Sequence, residues 1–369
     1  MLYAGLPIFK AFFGRDSLIT AMELLDYDRN SAFVTINFLK KLQGQKNNPE
    51  TMEESGKIIH EMQIDKDLVS SRSGSVPWLK SGVNYFSIDS TPLFLILGTR
   101  LNQRETQFLE SDRIKESFIL SAQWLIDHLS GKKYLSFSKP DRGKGLQTQS
   151  WRDGSGDFLD SMISPLSVIG VQGYAYSVLS QSQEFLRTCG ATDQLLEKMS
   201  EAAEKMKSSI FEDFKIPGLN YLALAMDGKG KLNKSVTSDP GHLLFSGILE
   251  KDQEESVISY LMGSDLLTEY GIRTLSVKDA DFDPTAYQRG SVWPHDNWII
   301  ACGLRKRGYI SEYNEIKNRI LAISDSLGGL PEYVGVDERG NLIPPDRMKV
   351  KPCYPQSWST GAEIFFRTH

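Results

Sequence analysis

Residues 112–130 read DRIKESFILSAQWLIDHLS, and the apolar Ile114, Phe118, Ala122, Leu125 and Leu129 return every three or four positions. That spacing puts them on one face of an α-helix and leaves a charged face opposite. Leu195, Met199, Ala202, Met206 and Ile210 repeat the pattern in 191–212, and 309–326 also has a charged face. By contrast 165–180 (PLSVIGVQGYAYSVLS) and 291–304 are apolar or small on almost every side, which suits helices surrounded by protein. The two kinds alternate along the chain, as expected if helical pairs build a double ring around one axis.

Further helices are expected over 16–26, 29–45, 89–104, 241–249, 251–263 and 356–366, with 165–188 and 291–306 as the full extents of the two apolar ones, giving about eleven. Ser164-Pro165 reads as cap and first helical residue, and Asp239-Pro240 and Asp283-Pro284 read as turn openers. Little reads as a long strand. The connections 46–88, 131–163, 216–240, 264–289 and 327–355 are long and rich in Gly, Pro, Ser and aromatics, with a short hairpin expected near 219–233. Loops of that length in a compact protein are usually functional or else hide a misassigned element, and because nearly every chemical motif lies in them or at their edges the functional reading is taken. No internal repeat or low-complexity linker divides the chain, so residues 1–369 are read as one domain.

The formal net charge is -5, from 42 basic and 47 acidic residues with no block of either sign, so nothing points to nucleic acid or an anionic membrane. A neutral substrate fits better. Three dispersed cysteines, Cys189, Cys302 and Cys353, form neither a disulfide framework nor a zinc module, which makes a reducing cytoplasm the expectation. The first residues lack a leader pattern, and no stretch approaches the ~18 apolar residues of a membrane span.

Acidic residues recur beside Trp, Pro and Gly at the ends of helices. A sugar needs this mixture, because its ring has apolar faces and a rim of hydroxyls. In Trp151-Arg152-Asp153-Gly154-Ser155-Gly156-Asp157, either Asp153 or Asp157 sits near a large aromatic, where desolvation would keep a carboxyl protonated. Asp153 is the expected general acid and Asp157 its backup, although an Asp in such a loop is commonly a turn or cap residue. In Leu330-Pro331-Glu332-Tyr333, after Gly328-Gly329, Glu332 is the expected general base, against the alternative that it opens a helix.

In Phe13-Gly14-Arg15-Asp16-Ser17, either Asp16 or Ser17 simply caps the helix, or Arg15 and Asp16 form a fork that holds the hydroxyls of the terminal sugar. His295 in Trp293-Pro294-His295-Asp296 either meets substrate hydroxyls or satisfies a buried carbonyl. Lys57, His60 and Glu61 in Gly56-Lys57-Ile58-Ile59-His60-Glu61 only superficially suggest a metal site, since His-Glu-x-x-His is absent. Neither a nucleophile elbow nor a phosphate-binding loop is present.

Taken in order, Ala4-Gly5-Leu6-Pro7, Phe13-Gly14-Arg15-Asp16-Ser17, Gly56-Lys57-Ile58-Ile59-His60-Glu61, Asp89-Ser90-Thr91-Pro92-Leu93-Phe94, Trp151-Arg152-Asp153, Val171-Gln172-Gly173-Tyr174, Pro240-Gly241-His242-Leu243-Leu244, Gly290-Ser291-Val292-Trp293-Pro294-His295-Asp296-Asn297, Leu330-Pro331-Glu332 and Pro355-Gln356-Ser357-Trp358 resemble the amylo-alpha-1,6-glucosidase family, the glucosidase part of glycogen debranching enzymes and distantly glucoamylase-like. No one motif is diagnostic; the ordered set is specific. The resemblance implies an all-α (α/α)6 barrel, a toroid of six helical hairpins, with an inverting mechanism on terminal α-glucosyl units of short α-glucans or oligosaccharides. It implies Asp153 as acid and Glu332 as base, with Arg15 and Asp16 binding the non-reducing glucose; Lys57, His60, Glu61, Asp89, Trp151, Arg152, Trp293, His295 and Asp296 are further candidates for substrate binding. No cofactor and no metal are expected.

Two departures stand out. Family members carry more chain before Ala4-Gly5-Leu6-Pro7 and after Pro355-Gln356-Ser357-Trp358, so eleven helices would remain, lacking the first. An incomplete ring would expose apolar surface, make the chain lean on a second copy as a homodimer, or mark a fragment. Relatives also often have Lys where Arg152 stands, which bears on substrate preference. The rival readings are a phosphorylase or epimerase on the same barrel and a non-catalytic carbohydrate-binding protein.

Overall fold

Helices that are buried on every side and helices buried on one stripe follow one another along the chain, as the apolar spacing requires. The computed structural model describes residues 3–65, 67, 69, 82–109, 111–154 and 158–369. Among them are twelve α-helices: α1 Gly14–Glu23, α2 Arg29–Lys41, α3 Ser90–Asn102, α4 Asp112–Leu129, α5 Ile169–Gln181, α6 Gln183–Thr188, α7 Asp193–Phe214, α8 His242–Ser246, α9 Lys251–Leu261, α10 Pro294–Lys306, α11 Ile310–Leu327 and α12 Ser357–Thr368. The fold is all-α, of the (α/α)6 class.

Every residue of α1 and of α8 is buried, as are all but three of α10. In α4 the buried residues include Ile114, Phe118, Ala122, Leu125 and Leu129, and in α11 they include Tyr313, Ile316, Ile320 and Ile323. Each fully buried Leu, Ile or Phe on such a stripe stabilises by about 1.5–3 kcal/mol, more than intrinsic helix propensity supplies.

Two expectations are corrected. The segment 165–188 is two helices, α5 and α6, broken at Ser182, whose buried hydroxyl takes the Thr99 hydroxyl at 2.8 Å; this break raises the count to twelve. Ser164-Pro165 opens no helix, because Ser167–Val168 first form a strand (β4) against β5, Ala225–Met226, and α5 starts only at Ile169. The expected hairpin near 219–233 is β5 with β6, Leu232–Asn233.

The chain folds as two compact units, each drawn from more than one stretch of sequence. The first comprises Met1–Ala4, Phe9–Asp153 and Tyr174–Ser208. In it β1 (Ala11–Phe13), β2 (Glu61–Gln63) and β3 (Val83–Asn84) form an antiparallel sheet leading into α1, and Phe118 packs on Phe94 at 4.7 Å and Phe185 at 4.9 Å. The loop between α2 and β2 is pinned to α4. Gln43 Nε2 donates to the carbonyls of Gly56 (3.0 Å) and Ser117 (2.8 Å), and Glu54 accepts from Trp124 Nε1 at 2.6 Å beside His128 at 3.1 Å.

The second unit comprises Gly5–Ile8, Gly154–Gly173 and Ser209–His369. Here α10 packs against α8, α11 and α12, and short hairpins cap the helices: β4 to β6, β7 (Leu267–Thr268) with β8 (Gly271–Ile272), and β9 (Gly335–Val336) with β10 (Leu342–Ile343). Cys189, Cys302 and Cys353 are all unbridged, and no helix among the described residues is long and apolar enough to cross a membrane.

The Glu54 anchor makes stability depend on pH. Burial alone would raise this carboxyl, but His128, Lys57 and Trp124 pull it down to about 2, from a usual 4.5. Its contribution is present above the usual value and is lost as pH falls through the window between 4.5 and about 2. The Glu54→Gln variant is expected to be about 1–2 kcal/mol less stable than wild type near neutrality, with the gap closing toward about pH 2.5 in denaturant titrations. A gap that holds constant with pH would contradict this.

Candidate active site

In the first unit the chemistry gathers where α1 begins. Phe13 pairs with Glu61 across β1 and β2, and the Gly14 N–H donates to the His60 carbonyl at 2.9 Å. A Cβ on Gly14 would overlap the Ile59 carbonyl oxygen, so only glycine lets α1 start this close to the 58–61 backbone. The next residue, Arg15, is therefore delivered to a fixed place.

Its guanidinium donates through Nη1 to both oxygens of Asp89, at 3.2 and 2.9 Å, and through Nη2 to Asp153 Oδ2. Arg15 is 3% exposed and Asp89 is fully buried at the start of α3, where the Ser87 hydroxyl donates to it at 2.6 Å. Removing one partner from a buried ion pair costs roughly 3–5 kcal/mol, so these groups hold one another in place. Burial works against the Arg15 charge, yet Asp89, Asp153 and Asp16 hold its pKa well above the usual value.

Asp153 is the titratable edge of this cluster, with 23% of its side chain exposed. Burial pushes its carboxyl up, Arg15 pulls it down and Asp89 pushes it up again; the net direction is upward. A carboxyl that keeps its proton above the usual range while touching a fixed cation is suited to proton donation. His60 is buried and held well below its usual value by burial and by Arg15, so it is a neutral imidazole, edge-on to Phe13 at 5.3 Å. Arg15 Nε and His60 Nδ1 have no hydrogen-bond partner among the described residues.

Of the other residues singled out in this unit, Asp16 lies buried in the first turn of α1, and its charge raises both Arg15 and Glu23. Glu23, which sequence reasoning missed, is buried and pushed well above the usual carboxyl range by burial and by Asp16. Arg152 is fully buried, its guanidinium 4.9 Å from the Trp151 ring. Glu61 is half-buried on β2 and accepts from Asn84 at 3.4 Å. The Lys57 ammonium donates to the Met52 carbonyl at 3.1 Å and lies 3.8 Å from Glu54, and burial lowers it to about 8. Asp157 lies outside the described residues.

In the second unit the focus is Glu332, 1% exposed. Tyr287 Oη donates to Oε1 at 2.6 Å and the Cys353 N–H to Oε2 at 2.9 Å, while the Glu332 N–H returns a bond to the Cys353 carbonyl at 2.9 Å. Tyr287 is wedged edge-on against Trp293 at 4.8 Å and Tyr333 at 5.1 Å, and those two rings stack at 4.9 Å. Trp293 Nε1 in turn donates to the Tyr287 carbonyl at 2.9 Å. The carboxylate thus has a set rotation on a rigid aromatic base.

The Trp293-Pro294-His295-Asp296 motif frames this arrangement. Trp293 backs Tyr287, and His295 stacks on Trp358 at 3.8 Å, edge-on to Trp293. Asp296 Oδ1 is bonded to His242 Nε2 at 2.7 Å, both side chains fully buried. Pro294 opens α10 as its first residue, as the motif requires. Sequence reasoning missed Tyr287 and Gln288, whose one signal was their place just upstream of Gly290-Ser291-Val292-Trp293. Among the described residues no group of three or more His, Cys, Asp or Glu could hold a metal ion.

Residues 191–338, which include Tyr287 and Glu332, match the model of the mannosylglycerate hydrolase MGH1-like glycoside hydrolase domain. No curated protein matches the chain by sequence. Solved structures of the GH63 mannosylglycerate hydrolase of Thermus thermophilus share the fold over 100% of this chain and 96% of theirs. The glucose complex is 15% identical with a TM-score of 0.74, and the complex with Tris and D-glycerate is 13% identical with a TM-score of 0.72.

Removing the Asp89 charge removes a push on Asp153 and leaves it more to Arg15, so in Asp89→Asn the Asp153 carboxyl is expected to titrate at lower pH, read by carboxyl 13C NMR. No movement, or movement upward, would contradict the cluster. Gly14→Ala forces α1 away from Ile59 and is expected to lose on the order of 2 kcal/mol or more in chemical denaturation; an unchanged stability would refute the close approach.

Proposed function

We propose that this chain is an inverting glycoside hydrolase acting on small α-glycosides, with Asp153 as general acid and Glu332 as general base. The observation that carries the reading is the Asp153 carboxyl itself, pushed up by burial and by Asp89 while hydrogen-bonded to Arg15. A proton donor for a glycosidic oxygen needs this combination, because the transition state is oxocarbenium-like and the leaving oxygen must be protonated as the bond breaks. The match over 191–338 to a glycoside hydrolase domain supports the reading.

In the proposed reaction Asp153 gives its proton to the glycosidic oxygen as the C–O bond breaks. Glu332 takes a proton from the water that attacks the anomeric carbon, and exchange with solvent returns both carboxyls to their starting forms. Arg15 Nε and His60 Nδ1, polar atoms without partners among the described residues, are suited to hydroxyls of the sugar. No metal or cofactor enters the proposed reaction.

On substrate, the family model and the neighbour's complexes with glucose and with D-glycerate favour a single sugar on a small, acidic aglycone such as a glycosylglycerate. The ordered motifs from Ala4-Gly5-Leu6-Pro7 to Pro355-Gln356-Ser357-Trp358 favour a second reading, terminal α-glucosyl units of short α-glucans in the manner of an amylo-alpha-1,6-glucosidase. A panel of mannosylglycerate, glucosylglycerate, maltose, isomaltose, trehalose and branched dextrin separates the two by relative kcat/KM. Sugar release that requires phosphate would point to a phosphorylase, and binding without release to a carbohydrate-binding protein.

On the best substrate, Asp153→Asn and Glu332→Gln are each expected to lower kcat by about 10²–10⁴-fold, since each removes one proton-transfer group. Turnover near that of wild type in either variant rejects that residue's role.

A further inference from the structure

We infer that the dipeptide Tyr287-Gln288 is a positioning device that ties the Glu332 carboxylate and the backbone following Asp153 to one short segment. Tyr287 Oη donates to Glu332 Oε1 at 2.6 Å. The adjacent Gln288 accepts, through Oε1, the N–H of Gly154 at 3.1 Å. Gly154 is the residue after Asp153 in the chain. A Cβ on Gly154 would lie 2.7 Å from the Tyr287 ring and 2.9 Å from Gln288 Oε1, so the glycine backbone is seated directly on both side chains.

The segment is rigid enough for this work. Its Tyr287 ring is wedged between Trp293 and Tyr333, the Tyr287 carbonyl accepts from Trp293 Nε1 at 2.9 Å and from the Ser291 hydroxyl at 2.6 Å, and Gln288 is 3% exposed. The Glu332 carboxylate has its other oxygen on the Cys353 N–H, so the tyrosine hydroxyl and that backbone donor together set its rotation. A misplacement of about 1 Å in a reacting group can cost on the order of 100-fold in rate, which makes such a brace matter. Neither side chain is required to touch substrate; both act through the group they hold.

The inference rests on the proposed hydrolase reading, and the experiment separates the two. Steady-state kinetics and thermal unfolding are measured for wild type, Tyr287→Phe, Gln288→Ala, Glu332→Gln and the Tyr287→Phe/Glu332→Gln double variant on the best substrate of the panel. Tyr287→Phe keeps the wedged ring and removes only the hydroxyl. It is expected to lower kcat by about 10- to 100-fold with KM within about twofold of wild type and an unchanged Tm. Gln288→Ala is expected to lower kcat by about 10-fold, again with little change in KM. In the Glu332→Gln background, removing the hydroxyl should add less than about twofold, because the carboxylate it positions is already gone.

An active wild type whose Tyr287→Phe variant keeps its kcat, or loses rate only in proportion to a fallen Tm, overturns the positioning inference alone. Full additivity in the double variant does the same. A wild type that releases no sugar from any member of the panel overturns the hydrolase reading and this inference with it.

Discussion

A guanidinium 3% exposed to solvent must be neutralised where it stands, and Arg15 is neutralised by carboxylates 74 and 138 residues away in the chain. Its desolvation would cost several kcal/mol without them, so the ion cluster and the packing of α1 are formed together or not at all. From this one constraint much of the first unit follows. Gly14 must be glycine so that α1 can start against Ile59; Asp89 must open a buried α3; and Asp153 must leave its loop toward α1. The result is an acid whose proton affinity is set by opposed neighbours, with Asp89 and burial on one side and Arg15 on the other.

Glu332 is held in a different way, by a tyrosine hydroxyl on one oxygen and a backbone N–H on the other. Its support is aromatic, running from Tyr287 through Trp293 and Tyr333, with His295 stacked on Trp358 behind them. Asp153 is thus set among charges, whereas Glu332 is held by neutral donors.

The fold was readable because burial leaves a period in the sequence. Ile114, Phe118, Ala122, Leu125 and Leu129 face the core as their spacing requires, and most of the largely apolar or small 291–304 lies in α10, nearly all of it buried. The break at Ser182 was not readable, because the residues on either side continue a helical pattern and the contact of Ser182 with Thr99 is 83 residues distant in the chain. In the same way Lys57 and His60 are close in sequence yet serve different places. Lys57 joins Met52 and Glu54, while His60 lies beside Arg15 and Phe13, a divergence that only the path of the chain into β2 decides. Asp296 has its partner His242 54 residues away and fully buried, a contact that no local pattern announces. Tyr287 and Gln288 have no local pattern, since their meaning comes from Glu332 and Gly154. The contacts that each charged motif makes therefore belong to partners distant in the chain.

The central claim, that water attacks the anomeric carbon directly as Asp153 donates its proton, has a stereochemical signature. Proton NMR recorded during the first minutes of hydrolysis of an α-glycoside should show the β anomer of the released sugar accumulating before mutarotation sets in. Initial release of the α anomer would mean a covalent intermediate and retention, and would contradict the account.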